Sequence, residues 1–168
     1  MSGVNLMAKG TVHAAPQRCT QAVMDEVEGR SSWWHPHLLL RHRPATPHDG
    51  VGLVVDAIGN PVGRPDRMRG TTRWAMRLDG YTPGREMRWT YIEGHYLGWA
   101  IWEFSDMGDG RTRISVVGEI HPAGWNHVRA LFTDYVFEQM RIIQHGIAGL
   151  NRYLSLHDIP QGASAHGP

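Results

Sequence analysis

Residues 71–120 read TTRWAMRLDGYTPGREMRWTYIEGHYLGWAIWEFSDMGDGRTRISVVGEI and carry the clearest structural signal in the chain. The segments DGYTPG, GHYL and DMGDG are rich in residues that favour tight reversals of the backbone. Between them lie strand-like runs at 71–78, 85–93, 98–105 and 111–120. This stretch therefore predicts a four-stranded antiparallel meander.

The two faces of this meander differ in chemistry, because successive residues of a strand point to opposite sides of a sheet. The rule predicts an inner face made of Trp74, Met76, Leu78, Met87, Trp89, Tyr91, Ala100, Trp102, Phe104, Ile114, Val116 and Ile120. The run at 98–105 carries tryptophan on both faces, so alternation alone leaves its orientation open, and the set with Trp102 is placed inward because this leaves Glu103 outward. The same rule predicts an outer row of charged side chains: Arg73, Arg77, Arg88, Glu103 and Glu119. On that face we expect Glu103 to meet an arginine across the strands.

Shorter elements are predicted before the meander. Residues 17–28 carry apolar side chains at helical spacing between Pro16 and Gly29, which predicts a short amphipathic helix. Further strand-like runs lie at 8–15, 37–43 and 51–58. The sheet is therefore expected to have six or seven strands.

One long helical pattern follows the meander, at residues 126–156. Asn126 is its predicted N-cap, and apolar side chains recur along it at steps of three and four residues. At about 1.5 Å per residue such a helix extends roughly 45 Å, enough to cross the whole sheet. We expect a single domain at 8–156, with flexible termini at 1–7 and 157–168.

The composition excludes several classes of function. Lys and Arg number 17 against 16 Asp and Glu in 168 residues, so the basic excess that nucleic-acid binding requires is missing. The single Cys19 cannot form an internal disulfide or an all-cysteine metal site. No run of about 18 apolar residues is present that could span a membrane. We expect a cytoplasmic protein with no integral membrane association.

Two stretches carry a resemblance to a known superfamily. They are AAPQRCTQAVMDEVEGRSSWW (14–34) and GREMRWTYIEGHYLGWAIWEFSDMGDGRTRISVVGEIHPAG (84–124). With the order of elements over 8–156, they resemble the START-like, or SRPBCC, superfamily, and within it the polyketide cyclase/dehydrase branch. The resemblance implies the α+β helix-grip fold of Bet v 1-like proteins: a curved antiparallel sheet wrapped around a long C-terminal helix, with one or two short helices. It implies a cavity between sheet and helix but no reaction, because these stretches are markers of the fold.

The predicted inner face of the meander, the apolar stripe of the last helix and Trp34 supply the candidate lining of such a cavity. Its members are Trp34, Trp74, Met76, Met87, Trp89, Tyr91, Trp102, Phe104, Phe132, Tyr135, Gln139 and Ile143. Large flat side chains of this kind can stack on a hydrophobic ligand. The alternative interpretation is that they simply fill the core.

Candidate catalytic groups are few. Tyr91, His95 and Tyr135 could donate or shuttle a proton, whereas a buried hydroxyl satisfied by the backbone is the alternative for each tyrosine. The histidines of WWHPH, His35 and His37, could ligate a metal, but a position at the surface or cavity rim is favoured, and we expect no metal and no cofactor. The motifs of nucleotide hydrolysis, dinucleotide binding, serine hydrolysis and zinc proteolysis are absent from the sequence.

Two hypotheses of function follow. In the first, the chain binds a lipid, isoprenoid or aromatic polyketide-like molecule in the cavity. In the second, it is a polyketide aromatase/cyclase or dehydratase that acts on a ligand in the same place. The second gains support if Glu103 or Arg88 points inward. A homodimer formed through an exposed strand edge is a third, structural possibility.

Overall fold

The computed structural model describes residues 3–66, 70–124 and 135–157. Its elements are β1 (Val4–Val12), α1 (Pro16–Val27), β2 (Leu38–His42), β3 (Val54–Gly59), β4 (Thr72–Thr82), β5 (Glu86–Gly94), β6 (Tyr96–Gly108), β7 (Arg111–Pro122) and α2 (Tyr135–His157). The strands form one antiparallel sheet in the order β1-β7-β6-β5-β4-β3-β2. The predicted helix-grip architecture is confirmed, with seven strands and, in the described ranges, one short helix.

The predicted inner face of the meander is confirmed by burial. All of its members are at most 8% exposed, including the aromatic side chains Trp74, Trp89 and Trp102. Their outward neighbours Arg73, Arg77 and Arg88 are exposed. Burial of this apolar surface on one side of the sheet fixes the strand register, because a shift of one residue would turn every side chain to the wrong face.

The outer face differs from the prediction at Glu103. The strand register places Glu103 opposite Glu86 on one side and Ser115 on the other, so no arginine lies directly across from it. Arg88 instead pairs with Glu86 of its own strand, at 2.5 Å. The expectation of a cross-strand pair was wrong because it depended on the register, which alternation alone does not give.

Four strands, β1, β4, β6 and β7, are longer than predicted. β1 begins at Val4 and therefore includes residues 4–7, which the sequence interpretation assigned to the N-terminal extension. Leu6 of this segment is buried and pairs with Gly118 of β7. β4 continues through the predicted turn residue Asp79, because an irregularity in the pairing between Leu78 and Gly80 lets the strand go on.

The predicted apolar stripe of the last helix is confirmed over the part that the structure describes. Its buried residues are Val136, Gln139, Ile142, Ile143, Gly146, Ile147, Gly149, Leu150 and Leu154. This face of α2 packs against β1 and α1. The predicted N-cap Asn126 and the predicted cavity residue Phe132 lie outside the described residues.

Two glycines of α2 allow a close approach of the tryptophan pair Trp33 and Trp34. A Cβ atom at Gly146 would lie 2.2 Å from Cε2 of Trp34. A Cβ at Gly149 would lie 2.3 Å from the backbone oxygen of Trp33. Such contacts are impossible for a real side chain, so the helix meets this loop only because it carries glycine at these two positions.

We expect Gly146→Ala to destabilise the protein, although alanine favours helix by about 1 kcal/mol relative to glycine. The added methyl group would push against the buried indole of Trp34, and overpacking of this kind costs about 1–3 kcal/mol. Urea unfolding followed by circular dichroism measures the change. Gln144→Ala, at an exposed position of the same helix, is the control and is expected to change stability by less than about 0.5 kcal/mol. A stability of Gly146→Ala equal to or above that of the native protein would contradict the close contact.

Candidate functional site

A small cavity lies between the inner face of the sheet and the two helices. Its volume is about 30 Å³. The wall is formed by Val23, Val27, Trp34, Leu38, Leu40, Trp74, Met76, Trp89, Tyr91, Trp102, Gln139, Ile142 and Ile143. Most of these side chains are hydrocarbon or aromatic ring, so the cavity is a site for apolar contact.

The structure brings together eight of the twelve side chains proposed from the sequence: Trp34, Trp74, Met76, Trp89, Tyr91, Trp102, Gln139 and Ile143. Met87 and Phe104 point inward but are packed in the core away from the cavity wall. Tyr135 lies at the first described turn of α2 and stacks on Tyr96 at 5.9 Å, also away from the wall.

Five wall residues were not proposed from the sequence: Val23, Val27, Leu38, Leu40 and Ile142. The helical spacing of residues 17–28 placed Val23 and Val27 on one apolar face of α1. The spacing does not show which part of the core this face covers. The position of Val23 and Val27 in the cavity wall depends on how α1 docks on the sheet.

The cavity is narrow compared with ordinary ligand sites. Pockets for small molecules measure about 300–1,000 Å³, against about 30 Å³ here. In this closed state the aromatic side chains fill most of the space, as the alternative interpretation proposed. A guest larger than a few water molecules needs wall residues to move.

Three polar groups belong to the wall. Burial raises the pKa of Tyr91 well above its ordinary value, so its phenol is protonated at neutral pH. Gln139 is 1% exposed, and its Nε2 atom lies 3.5 Å from Oγ1 of Thr72. The buried Nε1 of Trp74 has no hydrogen-bond partner among the described residues.

Comparison with solved structures gives the same architecture from unrelated sequences. A START superfamily protein from Mycobacterium smegmatis matches with a TM-score of 0.64 and 12% identity, covering 91% of this chain and 98% of that one. The Zhui aromatase/cyclase from Streptomyces sp. R1128 matches with a TM-score of 0.67 and 13% identity, covering 90% and 93%. Ara h 8.0201 matches with a TM-score of 0.63 and 13% identity, covering 91% and 98%.

The chain has the START-like helix-grip fold. No protein-family profile and no curated protein matches the sequence, so the likeness is one of structure. Within the described residues, neither helix combines the length and hydropathy needed to cross a bilayer.

In this START-like fold the tryptophan pair at 33–34 is held by a buried carboxylate that the sequence interpretation missed. Glu26 of α1 is 2% exposed and accepts hydrogen bonds from the backbone N–H groups of Trp33 and Trp34, at 2.9 and 3.3 Å. It also accepts one from the Ser31 hydroxyl at 2.8 Å. A charged residue on the buried face of a predicted amphipathic helix is the signal that could have found it. Glu26 thereby fixes the loop that delivers Trp34 to the cavity.

The remaining catalytic candidate, His95, lies outside the cavity wall. Its Nδ1 atom accepts the backbone N–H of Arg73 at 2.7 Å, so this nitrogen is engaged in joining β4 to the β5–β6 turn. Glu103 and Arg88 are exposed on the outer face of the sheet. The described part of the wall therefore contains no carboxylate, imidazole or amine.

The histidines form stacked pairs. His37 and His145 lie face to face, with ring centroids 3.7 Å apart and an angle of 4° between planes. His42 and His48 stack at 4.5 Å. Among the described residues no group of three or more His, Cys, Asp or Glu is placed to hold a metal. His35 is exposed, beside the loop that carries Trp34.

The His37–His145 pair predicts a dependence of stability on pH. Burial lowers the pKa of His145 below its ordinary value of 6.5, and the neighbouring His37, Arg141 and Arg152 lower it further. The folded state thus disfavours the proton that the unfolded chain accepts. We expect the free energy of unfolding to be highest above pH 6.5 and to decrease as the pH falls through that value. The decrease should be modest because His145 is exposed and its charge interactions are screened.

Urea unfolding between pH 7.5 and 5 measures this effect. In His145→Gln the part of the slope that comes from His145 is removed, whereas Gln144→Ala, at an exposed neighbouring position without a titratable group, keeps the native slope. An identical pH profile for His145→Gln and the native protein would show that His145 does not contribute to the pH dependence of stability.

We expect Glu26→Gln to lower stability by about 1.5–3 kcal/mol, the range for hydrogen bonds to a charged group. The amide has the same shape but offers one acceptor oxygen to three donors. The same change at the exposed Glu103 is the matched control and should have little effect. Thermal unfolding of both variants gives the comparison, and equal losses would contradict the role assigned to Glu26.

Proposed function

We propose that this chain binds a hydrophobic small molecule in the cavity between the sheet and α2. The observation that carries the proposal is the apolar cavity at the sheet–helix interface, with four tryptophans in its wall: Trp34, Trp74, Trp89 and Trp102. Each is at most 6% exposed, so the rings are removed from water and available to a guest. Apolar sites of this kind bind small molecules by area burial and stacking.

Binding requires the closed cavity to expand, and one side of the wall is suited to it. Leu38 and Leu40 belong to β2, a five-residue strand at the edge of the sheet, and among the described strands β2 pairs with β3 alone. Trp34, in the loop before β2, is anchored to both helices and is expected to stay in place. A short edge strand is displaced at lower cost than a central strand. We infer that a ligand enters by moving Leu38 and Leu40 outward.

The shape of the wall favours a flat aromatic or isoprenoid ligand. Trp34 and Trp102 meet edge to face with ring centroids 5.5 Å apart, and Trp74 lies tilted to Tyr91 at 6.3 Å. Aromatic side chains that meet at these angles offer a guest both ring faces and ring edges. A flat molecule inserted between them would gain stacking contacts on more than one side.

The alternative function, ring closure or dehydration of a polyketide-like chain, has narrower support. Tyr91 lines the cavity and, being protonated, could donate a hydrogen bond to a substrate carbonyl. One of the fold neighbours is an aromatase/cyclase by name. The described wall supplies no base to accompany Tyr91, so binding is the function that the geometry supports better.

Blocking the cavity tests the proposal. We expect the native protein to bind 1-aminoanthracene with quenching of tryptophan fluorescence, because the probe is flat and apolar and would lie against the wall tryptophans. Val27→Phe places a ring in the cavity and should weaken binding at least about tenfold, the equivalent of roughly 1.4 kcal/mol of lost contact.

The control is Val51→Phe, the same change at a position that is 59% exposed. It should bind the probe like the native protein. Circular dichroism establishes that Val27→Phe is folded. Equal affinity of Val27→Phe and the native protein, or no binding by the native protein, would refute the proposed site.

A further inference from the structure

The indole N–H of Trp74 differs from those of the buried Trp33 and Trp34, which both donate hydrogen bonds. Trp33 donates its Nε1–H to the backbone oxygen of Ala22 at 3.0 Å, and Trp34 donates to that of Ile142 at 2.8 Å. Trp74 is equally buried, at 5% exposure, yet its Nε1 has no partner among the described residues. Buried donors are almost always paired, so an unpaired one in a cavity wall calls for an explanation.

Packing holds the Trp74 ring in place. A Cβ atom at Gly59 would lie 2.7 Å from Cη2 of Trp74, so the benzene end of the indole is pressed against this glycine. Tyr96 meets the ring edge to face at 5.8 Å, and Tyr91 lies at 6.3 Å. Apolar contacts therefore hold the indole in place, and its N–H group is not needed to orient the ring.

A second donor of the cavity wall is weakly engaged. The Gln139 amide reaches Thr72 Oγ1 at 3.5 Å, the outer limit for a hydrogen bond. Gln139 is itself 1% exposed and lines the cavity. The wall thus contains two residues with a buried N–H group that has no strong acceptor among the described residues.

We propose that the ligand carries a carbonyl oxygen that accepts a hydrogen bond from Nε1 of Trp74. The inference rests on the proposed binding function and narrows the ligand to uncharged ketones, aldehydes, quinones or esters with an apolar frame. A carboxylate is disfavoured, because the described wall offers no cation to pair with a buried negative charge.

A matched pair of small ligands tests this. 1-Indanone and indane have the same bicyclic frame and differ by one carbonyl oxygen. We expect Trp74→Phe to weaken 1-indanone binding about five- to tenfold, as expected for one lost hydrogen bond, and to change indane affinity less than twofold. Isothermal titration of both ligands against both proteins gives a thermodynamic cycle in which the different hydration of the two ligands cancels.

Two further measurements complete the test. Trp102→Phe removes an indole from the same wall but leaves the Trp74 donor, so it should affect both ligands equally. In ¹H–¹⁵N spectra of the native protein, the indole resonance that disappears in Trp74→Phe should move downfield with 1-indanone and not with indane. This readout does not depend on the stability of the variant.

The outcomes separate the two proposals. If both ligands bind but Trp74→Phe weakens them equally or not at all, or the indole resonance responds alike to both, the carbonyl assignment is overturned and the binding function stands. If indane binds and 1-indanone does not, the assignment is also overturned. If the native protein binds 1-aminoanthracene but neither 1-indanone nor indane, the carbonyl assignment is overturned and the binding function stands. If it binds none of the three, the binding function itself fails and the assignment fails with it.

Discussion

The seating of Trp34 is the contact on which the rest of the structure depends. Its indole donates to the backbone of α2 at Ile142, its ring rests on Gly146, and its backbone N–H is held by Glu26 of α1. This one residue therefore joins both helices to the loop that leads into the sheet. The same indole ring forms part of the cavity wall.

The interior combines dense packing with a small void. Dense packing of aromatic rings stabilises the fold, since each buries a large apolar surface. The same rings meet at angles that leave a void of about 30 Å³, and among the described residues the Trp74 indole nitrogen in its wall has no hydrogen-bond partner. Voids and unpaired buried donors are uncommon in protein cores. The proposed binding function would account for both features.

The sequence predicted the fold more fully than the site. Alternation along the meander placed Trp74 and Trp89 inward, because the period of two leaves no other choice once one face is apolar. The third run carries tryptophan on both faces, so alternation alone did not decide the inward position of Trp102. Alternation could not place Val27 of α1 in the cavity wall, since that depends on how a helix docks on a sheet. The size of the void could not be predicted either, because it depends on how closely the side chains around it pack. A charged residue on the apolar face of α1 is a signal for Glu26, but its partners, two backbone N–H groups and a serine hydroxyl, could not be identified from the sequence.

The paired glycines of α2 have a consequence for how the molecule holds together. Gly146 and Gly149 fall within one helical turn, and each makes the free energy of helix formation about 1 kcal/mol less favourable than alanine would. This turn is therefore helical because it is docked, and the docked surface is the Trp33–Trp34 loop. The helical order of residues 146–149 and their contact with the Trp33–Trp34 loop are therefore coupled. A change that loosens the loop should also increase the mobility of this turn of α2.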